Sequence, residues 1–182
     1  MARPRREIVP GAIYHLFARG SNRSAIFVLD GDRVDFLGCL ERVVKRYELA
    51  LLAYCLMPNH YHLIAQTPDA RLSQAMKEVN GRYALRFNRR YGRDAHVFKN
   101  RFGAVLLETE SHFVWAAGYV VMNPVRAGLC AGPAEWPWSS YRASVGLEKS
   151  PGFLACEQLL AYFHSDAQRA QAAYAKQVEA CR

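Results

Sequence analysis

Two short stretches of this chain carry side chains whose types and spacing could do chemistry. His60 and His62 flank Tyr61, and on a strand residues two apart point to the same face. Two neutral imidazoles side by side form part of a metal site. The pair alone is weak evidence, because two histidines on one strand face can equally be structural. Met57-Pro58-Asn59 before them and Leu63-Ile64 after them set the pair at the start of an apolar strand, where a neighbouring group could orient the rings. Tyr119 and Asn123 are four apart, which puts both on one face of a helix or of its last turn. A tyrosine there can be a packing residue, and an asparagine before Pro124 can simply end a helix.

The elements that must hold these side chains are readable in outline. Ala12 to Ala18 mixes apolar and aromatic residues over a strand's length, and Arg19-Gly20-Ser21-Asn22-Arg23 supplies the turn that ends it. From a cap at Asp30, the apolar residues Val34, Leu37, Leu40, Val43, Val44 and Tyr47 recur at helical spacing. Leu49 to Leu56 and His60 to Gln66 read as two strands joined at Pro58-Asn59, or as one strand broken there. A second helix opens at Ser73 or Asp69, carries Leu72, Met76, Val79, Tyr83 and Phe87 on one face, and ends near Gly92. Phe102 to Leu107 is a short strand, and Thr109 caps a helix expected to end near Asn123 because Pro124 follows. This order predicts an α+β fold of the ferredoxin-like or RRM-like split βαβ type, an antiparallel sheet with helices packed on one face. Residues 1–146 are read as one domain and 147–182 as a carboxy-terminal helical tail.

Composition narrows the partners. Lys and Arg number 24 against 16 Asp and Glu, giving a net charge of +8 that favours a polyanion without choosing among DNA, RNA and a membrane surface. No apolar run reaches the ~20 residues of a spanning helix, and the start of the chain leads into Glu7 rather than an apolar signal region, so a cytoplasmic protein is expected. Cys39, Cys55, Cys130, Cys156 and Cys181 form no closely spaced pair, which argues against a disulfide framework or a zinc site.

Nine consecutive residues, Leu56-Met57-Pro58-Asn59-His60-Tyr61-His62-Leu63-Ile64, and the block from Tyr119-Val120-Val121-Met122-Asn123-Pro124 through Val125-Arg126-Ala127-Gly128-Leu129 resemble the two signature blocks of REP-associated tyrosine transposases, which belong to the single-tyrosine HUH transposase superfamily. Arg19-Gly20 with Asn22-Arg23, Thr67-Pro68 with Leu72-Ser73, Phe98-Lys99-Asn100-Arg101-Phe102 and Trp136-Pro137-Trp138-Ser139-Ser140-Tyr141 are similar to the same family, in the same order, over residues from about 8 to 146.

The resemblance implies a transposase or endonuclease that cuts and rejoins single-stranded or hairpin repeat DNA through a 5′-phosphotyrosine. Tyr119 is then the nucleophile, and His60, His62 and Asn123 bind Mg or Mn. Asn123 stands where many insertion-sequence relatives carry the longer Gln. A free phenol, with a pKa of about 10, is mostly protonated at neutral pH and needs a positive field or a base. The family acts as a dimer in one branch and as a monomer in the other, so monomer and homodimer both stay open. Basic side chains expected on the nucleic acid are Arg82, Arg86, Arg89, Arg90 and Arg93 on the second helix, Lys99 and Arg101 between two phenylalanines, and Arg19, Arg23 and Arg126 within the shared motifs. Arg3, Arg5 and Arg6 are a candidate groove-entering arm.

Two other functions fit the same residues: a DNA-binding protein that does not cleave, and a metal-dependent phosphodiesterase that uses water. His15, His96 and His112 are read as surface or supporting positions, and Trp136 and Trp138 as a lid on the core. Tyr14, Tyr54, Tyr61 and Tyr141 are rival nucleophiles that lack an amide residue one helical turn away.

Overall fold

The computed structural model describes residues 7–182; the candidate arm Arg3, Arg5 and Arg6 lies outside them. Its strands are β1 (Ile13–Arg19), β2 (Ala50–Met57), β3 (His60–Gln66) and β4 (Gly103–Leu106). Its helices are α1 (Asp30–Tyr47), α2 (Leu72–Tyr91), α3 (Glu110–Arg126), α4 (Tyr141–Ser144), α5 (Cys156–Leu160) and α6 (Ala167–Glu179). The sheet runs in the order β2-β3-β1-β4 with every neighbouring pair antiparallel. β1 and β2 are thus parallel strands with β3 inserted between them, the split βαβ arrangement read from the sequence.

The helices occupy both faces of the sheet rather than the single face expected. Along β3, Tyr61, Leu63 and Ala65 point into a core built with α1 and α2, whereas Ile64 points into a second core built with α3, α5 and α6. The run Leu51 to Met57 on β2 has no polar residue on either face, as a strand covered on both sides requires. A β-bulge between Leu51 and Ala53 lets Leu51, Tyr54 and Leu56 serve the first core while Leu52, Ala53, Cys55 and Met57 serve the second. Tyr61 is fully buried and donates its hydroxyl to Asn80 Oδ1 at 2.8 Å, tying β3 to α2.

Helix ends depart from expectation for local reasons. The cap of α1 is Leu29 rather than Asp30, because Asp32 accepts the Val28 and Leu29 N–H groups at 2.8 and 2.9 Å. Likewise α2 opens at Arg71, whose N–H is accepted by Asp69 at 2.8 Å. Thr109 caps α3 as predicted, accepting the His112 N–H at 3.1 Å. The helix continues past Asn123 to Arg126 with Pro124 inside it. Proline lacks the N–H that would bond the carbonyl four residues back, and Asn123 Nδ2 takes that acceptor instead, donating to the Val120 carbonyl at 3.2 Å and to that of Tyr119 at 2.9 Å.

Residues 147–182 return behind α3. Leu159, Tyr174 and Val178 are buried in the second core, and Gly118 makes room for the end of α6: a Cβ there would meet Cys181 Sγ at 2.7 Å and the Gln177 carbonyl oxygen at 3.3 Å. No helix of the described residues is long and apolar enough to cross a membrane.

Candidate active site

The pleat of β3 aims His60 and His62 at the α3 face of the sheet, away from the large core that Tyr61 enters. His15 and Phe17 on β1 share that face, with Phe17 paired directly to His62 and Arg19 to His60. Helix α3 crosses above and brings Tyr119 to His62, ring centroids 6.2 Å apart, and to His15 at 6.4 Å. Phe17, Ala18, Arg19, His60, His62, Tyr119 and Asn123 together line one cavity of about 380 Å³. Residues far apart in sequence, the two histidines and the Tyr119 and Asn123 pair, therefore converge.

Hydrogen bonds fix how the polar groups face. Asn59 Nδ2 donates to the Arg23 carbonyl at 3.1 Å, so its Oδ1 accepts from His60 Nδ1 at 2.6 Å and leaves Nε2 of that ring with the lone pair. His62 Nδ1 lies 2.9 Å from His15 Nε2, and when His62 is the donor its Nε2 is likewise a lone-pair donor. Burial, helped by the Arg19 charge, lowers His60 to about 4. Burial and the His112 charge take His15 down to about 4, while burial and then the His15, His60 and Arg19 charges hold His62 well below the usual range. All three rings are thus neutral at neutral pH. On Asn123 both intrahelical bonds use the amide nitrogen, which leaves the oxygen for a cation.

This donor set suits a divalent metal with open coordination positions. Two neutral imidazoles and an amide oxygen are three groups around one cavity that could serve as ligands, with phosphate oxygens and water to complete a shell. Among the described residues no cluster of three or more His, Cys, Asp or Glu side chains is arranged to hold a cation.

Tyr119 is itself clasped. Its ring stacks on Trp115 with centroids 4.9 Å apart and planes at 16°. The Arg126 guanidinium lies 5.5 Å from the ring centroid and is held by the Cys181 carbonyl at 3.0 Å. The rivals Tyr14, Tyr54, Tyr61 and Tyr141 are all buried, and burial pushes Tyr54 up to about 12 and raises Tyr61 and Tyr141 as well.

The basic residues separate into groups. Arg19 lines the cavity and Arg126 touches Tyr119. Arg23 sits in the turn after β1 with φ 58°, and its carbonyl orients Asn59. The stripe on α2 lies in the opposite layer and is largely neutralised. Arg82 pairs with Glu78 at 2.8 Å, Arg86 with Asp35 at 3.7 Å, and Arg90 with Asp32 and Asp35 at 2.5 Å each. Arg93 sits over the Phe87 ring at 5.7 Å, and Arg89 is exposed without an ion pair among the described residues. Lys99 and Arg101 line a larger groove beside α2.

Sequence reasoning missed Trp115, although the same four-residue spacing that links Tyr119 to Asn123 links it to Trp115. It also missed the direct contact of His15 with His62. Trp136 and Trp138 are half-buried under the Arg33 guanidinium, at 5.9 and 5.4 Å, and Trp136 donates to the Leu56 carbonyl at 3.2 Å, as befits a lid.

A family model described as "Transposase IS200 like" matches residues 8–123, which end on the last residue of this cavity. The chain belongs to the IS200-like transposase family. Among relatives of this IS200-like chain, a Haemophilus influenzae protein bearing the name of a REP-associated tyrosine transposase is 24% identical over 162 residues, 83% of this chain and 92% of that one. A solved REP-associated tyrosine transposase bound to a REP hairpin superposes with a TM-score of 0.69 at 20% identity, covering 83% of this chain and 89% of the other. That likeness establishes the shared fold.

Proposed function

We propose that this member of the family is a REP-associated tyrosine transposase that cleaves and rejoins single-stranded or hairpin DNA, with Tyr119 as nucleophile. The observation that carries the reading is the cavity of about 380 Å³ on which the Tyr119 phenol opens together with His60, His62 and Asn123. It is large enough for a phosphodiester and has a cationic wall in Arg19. His60, His62 and Asn123 would hold a divalent Mg or Mn ion, which supplies Lewis-acid polarisation of the phosphate oxygens.

In the reaction Tyr119 Oη forms a bond to phosphorus as the bond from phosphorus to the 3′ oxygen breaks. The phenol proton is lost, and the leaving oxygen ends as a free 3′-hydroxyl. The DNA is left as a 5′-phosphotyrosine, and attack by the same or another 3′-hydroxyl reverses the step with no nucleotide consumed. Trp115 and Arg126 hold the phenol ring so that little orientational freedom is lost at attack. All four site residues meet within one chain, so the site can be completed without a tyrosine from a partner, and monomer and homodimer are both compatible with it.

The test is incubation with Mg or Mn and end-labelled hairpins from repeats flanking the gene, followed by denaturing electrophoresis. An adduct that carries the 3′ label, with the 5′-labelled fragment released bearing a free 3′-hydroxyl, is expected, and it is absent from Tyr119→Phe and His60→Ala. Tight binding without an adduct would instead make the chain a binding protein. Nicking that persists in Tyr119→Phe would make water the nucleophile.

A further inference from the structure

No residue that lines the Tyr119 cavity is an acid, and one of them, Arg19, is a cation. Strand pairing sets Arg19 directly opposite His60, where facing side chains stand roughly 5 Å apart at Cβ. Arg19 makes no ion pair among the described residues, and its charge bears on both His60 and His62. Arg126, over the Tyr119 ring, is held by the Cys181 carbonyl and not by a carboxylate. The arginines of α2 show the contrast, since Arg82, Arg86 and Arg90 each face an acid. Around the nucleophile, positive charge is left unanswered by the protein.

That balance of charge has a chemical consequence. Hard divalent ions give up their water reluctantly, and the sites that hold them offer carboxylates or phosphates in exchange. His60, His62 and Asn123 offer lone pairs but no charge, and Arg19 repels any cation that enters beside His60. A phosphodiester corrects both deficits at once. Its oxygens are anionic ligands for the ion, and the same group answers the Arg19 guanidinium.

We infer that Arg19 and the uncharged donor set make metal loading wait for the DNA, so that the divalent ion and the phosphodiester enter this site cooperatively. The free protein then holds the ion weakly, and a complete site exists where a phosphate is already in place. The inference rests on the metal and DNA readings above and adds the order in which the site fills. Linkage makes it quantitative, because the factor by which DNA raises metal affinity must equal the factor by which metal raises DNA affinity.

The test measures binding in a Tyr119→Phe background, where no cleavage intervenes. Mn affinity is read from the paramagnetic resonance signal of the free aquo ion, with and without a saturating hairpin from the repeats flanking the gene. Hairpin affinity is read by fluorescence anisotropy with and without Mn. His60→Ala in the same background reports what Mn does to the DNA itself, and its effect is subtracted. The hairpin is expected to raise Mn affinity about tenfold or more, and Mn to raise hairpin affinity by the same factor. Position 19 is exposed, so its charge can be varied without disturbing the core. Mn affinity without DNA is expected to rise about threefold in Arg19→Gln and about tenfold in Arg19→Glu, and to stay at the parental value in Arg19→Lys. A role confined to packing would not rank the variants by charge. Equal Mn affinity with and without the hairpin, or affinities indifferent to the charge at position 19, would overturn the loading order and leave the site assignment standing. A protein that binds the hairpin but takes up no Mn in either state would overturn the metal reading, and one that binds no hairpin the DNA reading, each with the loading order.

Discussion

His15 Nε2 lies 2.9 Å from His62 Nδ1, joining β1 to β3 on the face that carries Tyr119. A partner on the far nitrogen of a ligating histidine fixes its tautomer and ring orientation, and losing such a partner typically costs about 10–100-fold in metal affinity or activity. His15→Phe is expected to weaken Mn binding by about tenfold or more in isothermal titration while the far-ultraviolet spectrum is unchanged. Unaltered affinity would mean that His62 is oriented by packing alone.

Trp115 is 52% exposed yet stacked on Tyr119. An aromatic pair of this kind is worth about 0.5–1.5 kcal/mol, so Trp115→Ala should slow adduct formation by roughly three- to tenfold. Trp115→Phe should recover most of it. Single-turnover rates at saturating DNA separate this from a binding defect, which would leave the saturated rate intact.

Pro124→Ala restores the N–H that α3 lacks opposite the Val120 carbonyl. Removing a proline from a helix interior is worth up to about 3 kcal/mol, reduced here because Asn123 already serves that carbonyl and because the unfolded chain gains freedom. A net gain of about 1–2 kcal/mol in chemical denaturation is expected, together with slower cleavage, since the Asn123 amide must share the Val120 carbonyl, one of the two acceptors that aim it. A variant that is stabilised and fully active would show that the anchoring of Asn123 is irrelevant to the chemistry.

The metal-free protein should weaken in mild acid. His15 and His60 are lowered to about 4 and His62 further, whereas in the unfolded chain each titrates near 6.5. Between those values the unfolded state binds protons that the native state refuses, so stability is full above about pH 6.5 and falls as the pH drops toward 4. Urea midpoints recorded from pH 7.5 to 4.5 should decline across that window. The decline should be shallower in a His60→Asn, His62→Asn double variant, and an equal slope in both proteins would assign the acid sensitivity to other groups.

Much of this was legible in the sequence, and the gaps have physical causes. Alternation in β3 gave the shared face of His60 and His62, and the four-residue spacing gave Tyr119 and Asn123, because both follow from backbone geometry alone. Which side of the sheet α3 would cover was not legible, since β2 is apolar on both faces and periodicity cannot assign them. His15 looked solitary because its neighbour is 47 residues away and only the pairing of β1 with β3 reveals it. The α2 arginines read as a phosphate-binding stripe because Asp32 and Asp35, which neutralise Arg86 and Arg90, lie on α1.

The pleat of β3 also bears on how such genes decay. Every second side chain, Tyr61, Leu63 and Ala65, builds the larger interior, and the alternate ones, His60 and His62, are two half-buried polar rings outside it. Mutational drift that erases the histidines leaves that interior intact and removes buried polar groups whose desolvation opposes folding. If the histidines serve cleavage as proposed above, its loss is cheap for the fold, and a lineage that loses it can keep a well-folded protein.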